Sequence, residues 1–300
     1  MAEIVGCVAL SHAPQLLMPP EKWHEVPSRV KELGSERSEL AAELTLEVKQ
    51  AKMQRCKDAM GYLRVKLDNW APDVILLMGD DQRENIFEDN TPPFVVYIAD
   101  SFDATLHFRY LGESPMAQKT KYKAHPAAAA NIIDYLMESG FDPAWSKKPR
   151  YEAGFGHAFG RPLHFLVPDA RYPVIPILIN TFYPPAPSAK RCLEFGKALA
   201  SAVRRCKEVD RVVVMGSGGL SHVRIDERLD RDFIKALERH DNEYLASMPS
   251  SVLVEGTSEL RNWIATAALT SRGATMVDYV PCYRTMTGIG CAMGFAYWEQ

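Results

Sequence analysis

Short apolar runs recur along the chain, and each ends in a polar or glycine-rich exit. Ile4–Ala9 leads into Ser11-His12, and Val74–Met78 leads into Gly79-Asp80-Asp81. Val212–Met215 leads into Gly216-Ser217-Gly218-Gly219 and then Ser221-His222. Runs this short and this rich in valine and isoleucine predict buried strands. Pro93–Ala99, Ala104–Tyr110, Val174–Ile179, Thr275–Cys282 and Ile289–Trp298 predict further ones.

Between them the period changes. Residues Ser38–Asn69 carry Leu40, Leu44, Val48, Ala51, Met60 and Leu63 at helical spacing with no proline, which predicts a long helix with one apolar face. His125–Glu138 predicts a second helix stopped by Ser139-Gly140, and Ser188–Lys207 a third with Ser188 as its N-cap. Shorter helices are expected at Asp230–His240, Asn242–Ala246 and Glu255–Leu269, whereas Gly154–Gly160 reads as an irregular loop. Strands alternating with helices predict an α/β fold, and no linker or repeat divides residues 1–300, so a single domain is expected. The last two strands lie too close for a helical crossover, so the central sheet should be mixed, with helices on both faces.

Composition narrows the function. A net charge of −3 gives no reason to expect nucleic-acid or membrane binding, and no apolar run approaches a membrane span. The N-terminus has no basic segment ahead of an apolar one, so it does not read as a secretion signal. Six scattered cysteines form no CxxC pair and suit free thiols in a reducing compartment, which makes a cytoplasmic location the expectation.

Three histidines, His12, His157 and His222, sit at strand exits or among glycines, where a titratable side chain can face a ligand. The other five have ordinary structural readings. Asp80-Asp81 places two carboxylates at a strand end, where they repel unless a cation or hydrogen bonds offset them. A metal ion is one explanation, and a turn or helix-capping pair is the plainer one. Glu255 and Glu259, four apart, would share a helical face. HExxH, the Walker A loop and GxSxG are all absent. Ser221 and His222, adjacent on an extended segment, point to opposite sides and make a poor nucleophile pair.

SHAP at 11–14, GDD at 79–81, GFGHAFGRPL at 154–163, GSGGLSH at 216–222 and EGTSEL at 255–260 together resemble the class III extradiol dioxygenases. This is the superfamily of the catalytic subunit of protocatechuate 4,5-dioxygenase. The resemblance spans nearly the whole chain. It implies one α/β domain, a homodimer or larger assembly with room for a small partner subunit, and opening of catecholic or trihydroxylated aromatic acids with Fe²⁺ and O₂. It implies His12 and Glu259 as metal ligands, with Glu255 as the other register. It further implies His222 as the acid/base that takes a substrate hydroxyl proton, and His157 as the loop histidine that hydrogen-bonds substrate or oxygen.

One departure stands out. The family's second iron histidine follows its strand in an Asn-Asp-His-type triplet, which here reads Gly79-Asp80-Asp81. Asp81 is therefore the expected third ligand, with Gln82 and Glu84 as neighbouring choices, and the added negative charge would admit Mn²⁺ beside Fe²⁺. The segment also resembles a variant in methylgallate-type members. The competing expectations are a metal-dependent hydrolase and a relative that has lost catalysis and acts as a binding protein or subunit.

Overall fold

A computed structural model describes residues 1–26, 35–107 and 114–300. Its strands are β1 (Glu3–Leu10), β2 (Val74–Gly79), β3 (Phe94–Tyr97), β4 (Ser101–Thr105), β5 (Lys119–Lys123), β6 (Ala144–Ser146), β7 (Val174–Ile179), β8 (Arg211–Ser217), β9 (His222–Arg224), β10 (Thr275–Tyr283) and β11 (Ile289–Glu299). The helices are α1 (Leu46–Trp70), α2 (Pro126–Glu138), α3 (His157–Leu166), α4 (Ala189–Arg205), α5 (Glu227–Glu238), α6 (Asn242–Ser247) and α7 (Leu260–Ala267).

The main sheet runs β10-β11-β1-β8-β2-β7-β3-β6, with β9 added to β11, while β4 and β5 form a separate pair. Neighbours β1, β8, β2 and β7 are parallel, whereas β11 and β3 join that block antiparallel. The mixed α/β sheet expected from the sequence is thus present. Its central strands are apolar throughout because both faces are covered. Val74, Leu76 and Met78 point into one core with α2, α4 and α7, and Ile75 and Leu77 into the other with α1 and α3.

Three helix expectations change. The long first helix begins at Leu46, where Thr45 Oγ1 accepts from Val48 N; short 3₁₀ turns occupy Ser38–Leu40 and Ala42–Leu44. The glycine-rich segment is only partly a loop, since α3 starts at His157. The helix expected over Glu255–Leu269 is a 3₁₀ turn, Glu255–Thr257, followed by α7, which leaves Glu259 at the N-cap position. The strand candidate Ala104–Tyr110 ends at Thr105, and its last three residues lie outside the described ones. Among the described residues no helix is long and apolar enough to cross a membrane.

Candidate metal centre

Parallel strands bring their exits to one edge of the sheet, which is where open α/β sheets bind ligands. Here that edge gathers His12 after β1, Gln82 after β2 and Ser217 to Gly219 at the end of β8. A cavity of about 540 Å³ opens beside them. Its polar lining includes His12, Gln82, His157, His222, Glu259 and Arg284, and Phe182 and Met293 contribute apolar wall. That volume suits a small ligand.

His12 and Glu259 form the floor, 4% and 2% exposed. Ser217 Oγ donates its one proton to the Ala158 carbonyl, so it accepts from His12 Nδ1–H at 2.8 Å. The His12 Nε2 lone pair therefore faces Glu259 Oε1 at 3.5 Å. Burial lowers the His12 pKa, only partly opposed by Glu259, and keeps the ring neutral. Burial pushes the Glu259 carboxyl up, but neighbouring groups, among them the Gly219 N–H, more than offset it, so it stays below the usual carboxylate range. A lone pair and a carboxylate oxygen that face each other in a buried site repel, and a cation between them resolves the conflict. The residues fit a metal ion.

The backbone explains why Glu259 can reach the floor. Gly218 has φ +138°, and a Cβ there would lie 2.8 Å from Glu259 Cβ. With that space open, Gly219 N–H donates to Glu259 Oε2 at 2.9 Å and leaves Oε1 toward the cavity.

His157, Glu84 and Arg161 make the wall. His157 Nδ1 lies 2.6 Å from Glu84 Oε1, which also accepts from the His157 backbone N–H at 3.2 Å. Burial lowers the His157 pKa, but Glu84 more than compensates and leaves it raised. Gly156 admits this contact, since a Cβ there would fall 1.7 Å from Glu84 Oε2. Arg161 ties the wall together, donating to the carbonyls of His12 and Leu106 at 2.9 Å and of His107 at 3.3 Å. His12, His157 and Glu259 each offer one ligating atom, and the three atoms lie within 4.8 Å of one another.

His222 opens β9 and is partly exposed, with Nε2 3.7 Å from Glu259 Oε1. Its Nδ1 lies 3.3 Å from the Leu220 carbonyl, which can only accept, so Nδ1 carries the proton and Nε2 presents its lone pair. The next residue, Val223, has φ +68°, a strained conformation for a β-branched side chain.

Asp81, the expected third ligand, lies in the turn after β2 and is not among the residues that line the cavity. Its carboxylate accepts the backbone N–H groups of Glu84 and Ile86 at 3.0 Å and of Asn85 at 2.8 Å, which closes that turn. Asp80 is fully buried, and its carboxyl is pushed well up by burial and by Glu259. Glu255 is exposed at the cavity mouth with φ +46°, so it does not share a helical face with Glu259.

The family described as "Catalytic LigB subunit of aromatic ring-opening dioxygenase" matches residues 6–290. The chain belongs to the LigB family. Among curated relatives, the 2,3-dihydroxyphenylpropionate/2,3-dihydroxicinnamic acid 1,2-dioxygenase of Photorhabdus laumondii is 28% identical over 174 residues, 58% of this chain and 50% of that protein. A second such enzyme, from Pseudomonas putida, is 29% identical over 160 residues, 53% of this chain and 46% of that protein. The chain spans about half the length of the curated relatives it matches. The crystal structure of uncharacterized protein JW3007 from Escherichia coli K12 matches with a TM-score of 0.53 at 15% identity, covering 98% of this chain and 99% of that one, a likeness of fold.

Membership in the LigB family accords with the resemblance carried by the five motifs. Arg161 was not singled out as a site residue in the sequence, because it acts through carbonyls more than 50 positions away. Glu84 was named there only as a neighbouring choice of metal ligand, and in the structure it holds His157 instead.

Proposed function

We propose that this LigB-family chain is a ring-opening dioxygenase acting on an aromatic substrate with two neighbouring hydroxyls. The observation that carries the reading is the buried His12 lone pair aimed at the Glu259 carboxylate on the floor of a cavity that His222 also faces. An imidazole nitrogen and a carboxylate oxygen suit Fe²⁺, and Mn²⁺ is also compatible. When bound, the iron supplies a centre at which a catechol and O₂ can meet.

His12 and Glu259 hold the cation, and Asp81 has no part in it. His222 Nε2 takes the proton of a substrate hydroxyl and returns it later as an acid. His157, tied at Nδ1 by Glu84, keeps Nε2 for a hydrogen bond to substrate or oxygen. Phe182 and Met293 exclude water from the ring. Arg284 on the cavity wall suits a substrate carboxylate, in keeping with the acid side chains of the substrates named for the relatives. A second reading makes His157 the third metal ligand, and its place in the three-residue cluster favours it.

Oxygen uptake by anaerobically Fe²⁺-loaded protein tests the proposal. The panel runs from 2,3-dihydroxyphenylpropionate and protocatechuate to gallate and 3-O-methylgallate. Uptake matched to ring-opened product is expected for one of them, His222→Ala should keep metal and lose about a hundredfold or more in turnover, and His12→Ala should lose metal. Turnover by His222→Ala at the parent rate would refute its acid/base role.

A further inference from the structure

With Asp81 committed to its turn, the sequence supplies no histidine at the exit of β2. The neighbouring side chain is the one that reaches the centre. Gln82 Nε2 lies 3.3 Å from Glu259 Oε1 and 3.4 Å from Asp80 Oδ2, bridging two buried carboxylates. Both contacts are long for hydrogen bonds to anions. Asp80, 0% exposed, leaves Oδ1 without a hydrogen-bond partner, so this corner holds more acceptors than donors.

We infer that the Gln82 amide oxygen is a protein ligand to the cation held by His12 and Glu259. A half-turn of the terminal amide exchanges nitrogen for oxygen with almost no change of shape. Oε1 then stands 3.3 Å from Glu259 Oε1, and His12 Nε2 stands 3.5 Å from the same oxygen. Metal–ligand bonds of about 2.1 Å put neighbouring ligand atoms about 3.0 Å apart at right angles and about 3.4 Å apart at tetrahedral angles. The observed separations are close to those edges. Glu259 supplies anionic charge to the ion, and Gln82 adds an oxygen donor without adding charge. A neutral amide oxygen is a harder donor than imidazole, so the site favours Mn²⁺ and Fe²⁺ over Zn²⁺ more than a second histidine would allow.

This inference rests on the metal-centre reading above, and the test keeps the two apart. Metal-free protein is titrated anaerobically with Mn²⁺ and with Zn²⁺ against a chelating dye. Gln82→Leu should weaken Mn²⁺ binding about tenfold or more, and Gln82→His should raise the preference for Zn²⁺ over Mn²⁺ about tenfold. Metal-free melting temperatures separate loss of a ligand from loss of the fold, and the histidine variant gives an independent reading. Mn²⁺ affinity within twofold of the parent in Gln82→Leu, with tenfold loss in His157→Phe, would overturn the inference and make His157 the third ligand. An unchanged metal preference in Gln82→His would overturn it as well. Unchanged affinity in both His12→Ala and Glu259→Ala would instead sink the metal centre itself.

Discussion

Glu84 shows how much one buried carboxylate can organise. It accepts from the His157 ring and backbone, and His107 Nδ1 lies 3.6 Å away. Burial pushes its pKa up, but His157 and His107 more than offset that and lower it from 4.5 to about 2. A carboxyl depressed on folding adds stability that is present above its ordinary pKa and lost as pH falls toward about 2. Glu84→Gln should therefore be less stable than the parent by about 3 kcal/mol at pH 7. The gap should narrow at pH 3.5, as urea unfolding at both values would reveal; an equal gap at both would mean that the charge is not its source. At this scale His12, His222 and Glu259 stood out because each lies in a short motif, and the structure brings all three to one cavity. The turn after β2 was harder to read, because hydrogen bonding within it, and not residue type, decides that Gln82 and not Asp81 lines the cavity.

At the scale of elements, β9 holds His222 against β11, with Cys291 opposite His222 and Gly290 opposite Val223. Val223, with φ +68°, follows that histidine directly, and its conformation should bear on how His222 enters the cavity. Val223→Gly should release about 1–3 kcal/mol of backbone strain and add comparable freedom to the unfolded chain. Stability should then change by less than about 1 kcal/mol while kcat falls several-fold, because the histidine is held less firmly. Urea unfolding and steady-state rates on one preparation would separate the two effects, and an unchanged kcat would count against the positioning role. Strands β2 and β7 were readable as uninterrupted apolar runs, and Ser188 as the cap of α4, where its Oγ accepts from Arg191 N at 3.1 Å. Helix α3 was not, because the glycines that let Glu84 and the strands approach also hid the helical spacing of Ala158, Phe159, Leu163 and Leu166.

The whole molecule assembles its centre from both ends of the chain, with His12 and Glu259 on elements that meet only in the finished sheet. A cation bound at a hundred times its dissociation constant should stabilise the native state by about 2.7 kcal/mol and raise the melting temperature by about 5 °C. Calorimetry with and without Mn²⁺ would check this, and His12→Ala should abolish the shift; a shift that persists would place the ion elsewhere. The α/β class and the mixed sheet followed from alternating periods. The strand order did not, because nothing local in β1 says that β8 and β11 will flank it.

That order has a consequence for synthesis. Strand β1 is made first, yet its antiparallel neighbour β11 is made last. At about 5–20 residues per second, β1 waits roughly 15–60 s on the ribosome with one edge bare. Its other partner, β8, also arrives late. The nascent chain must therefore keep an apolar strand from pairing with a stranger until Arg211–Ser217 and then Ile289–Glu299 are made.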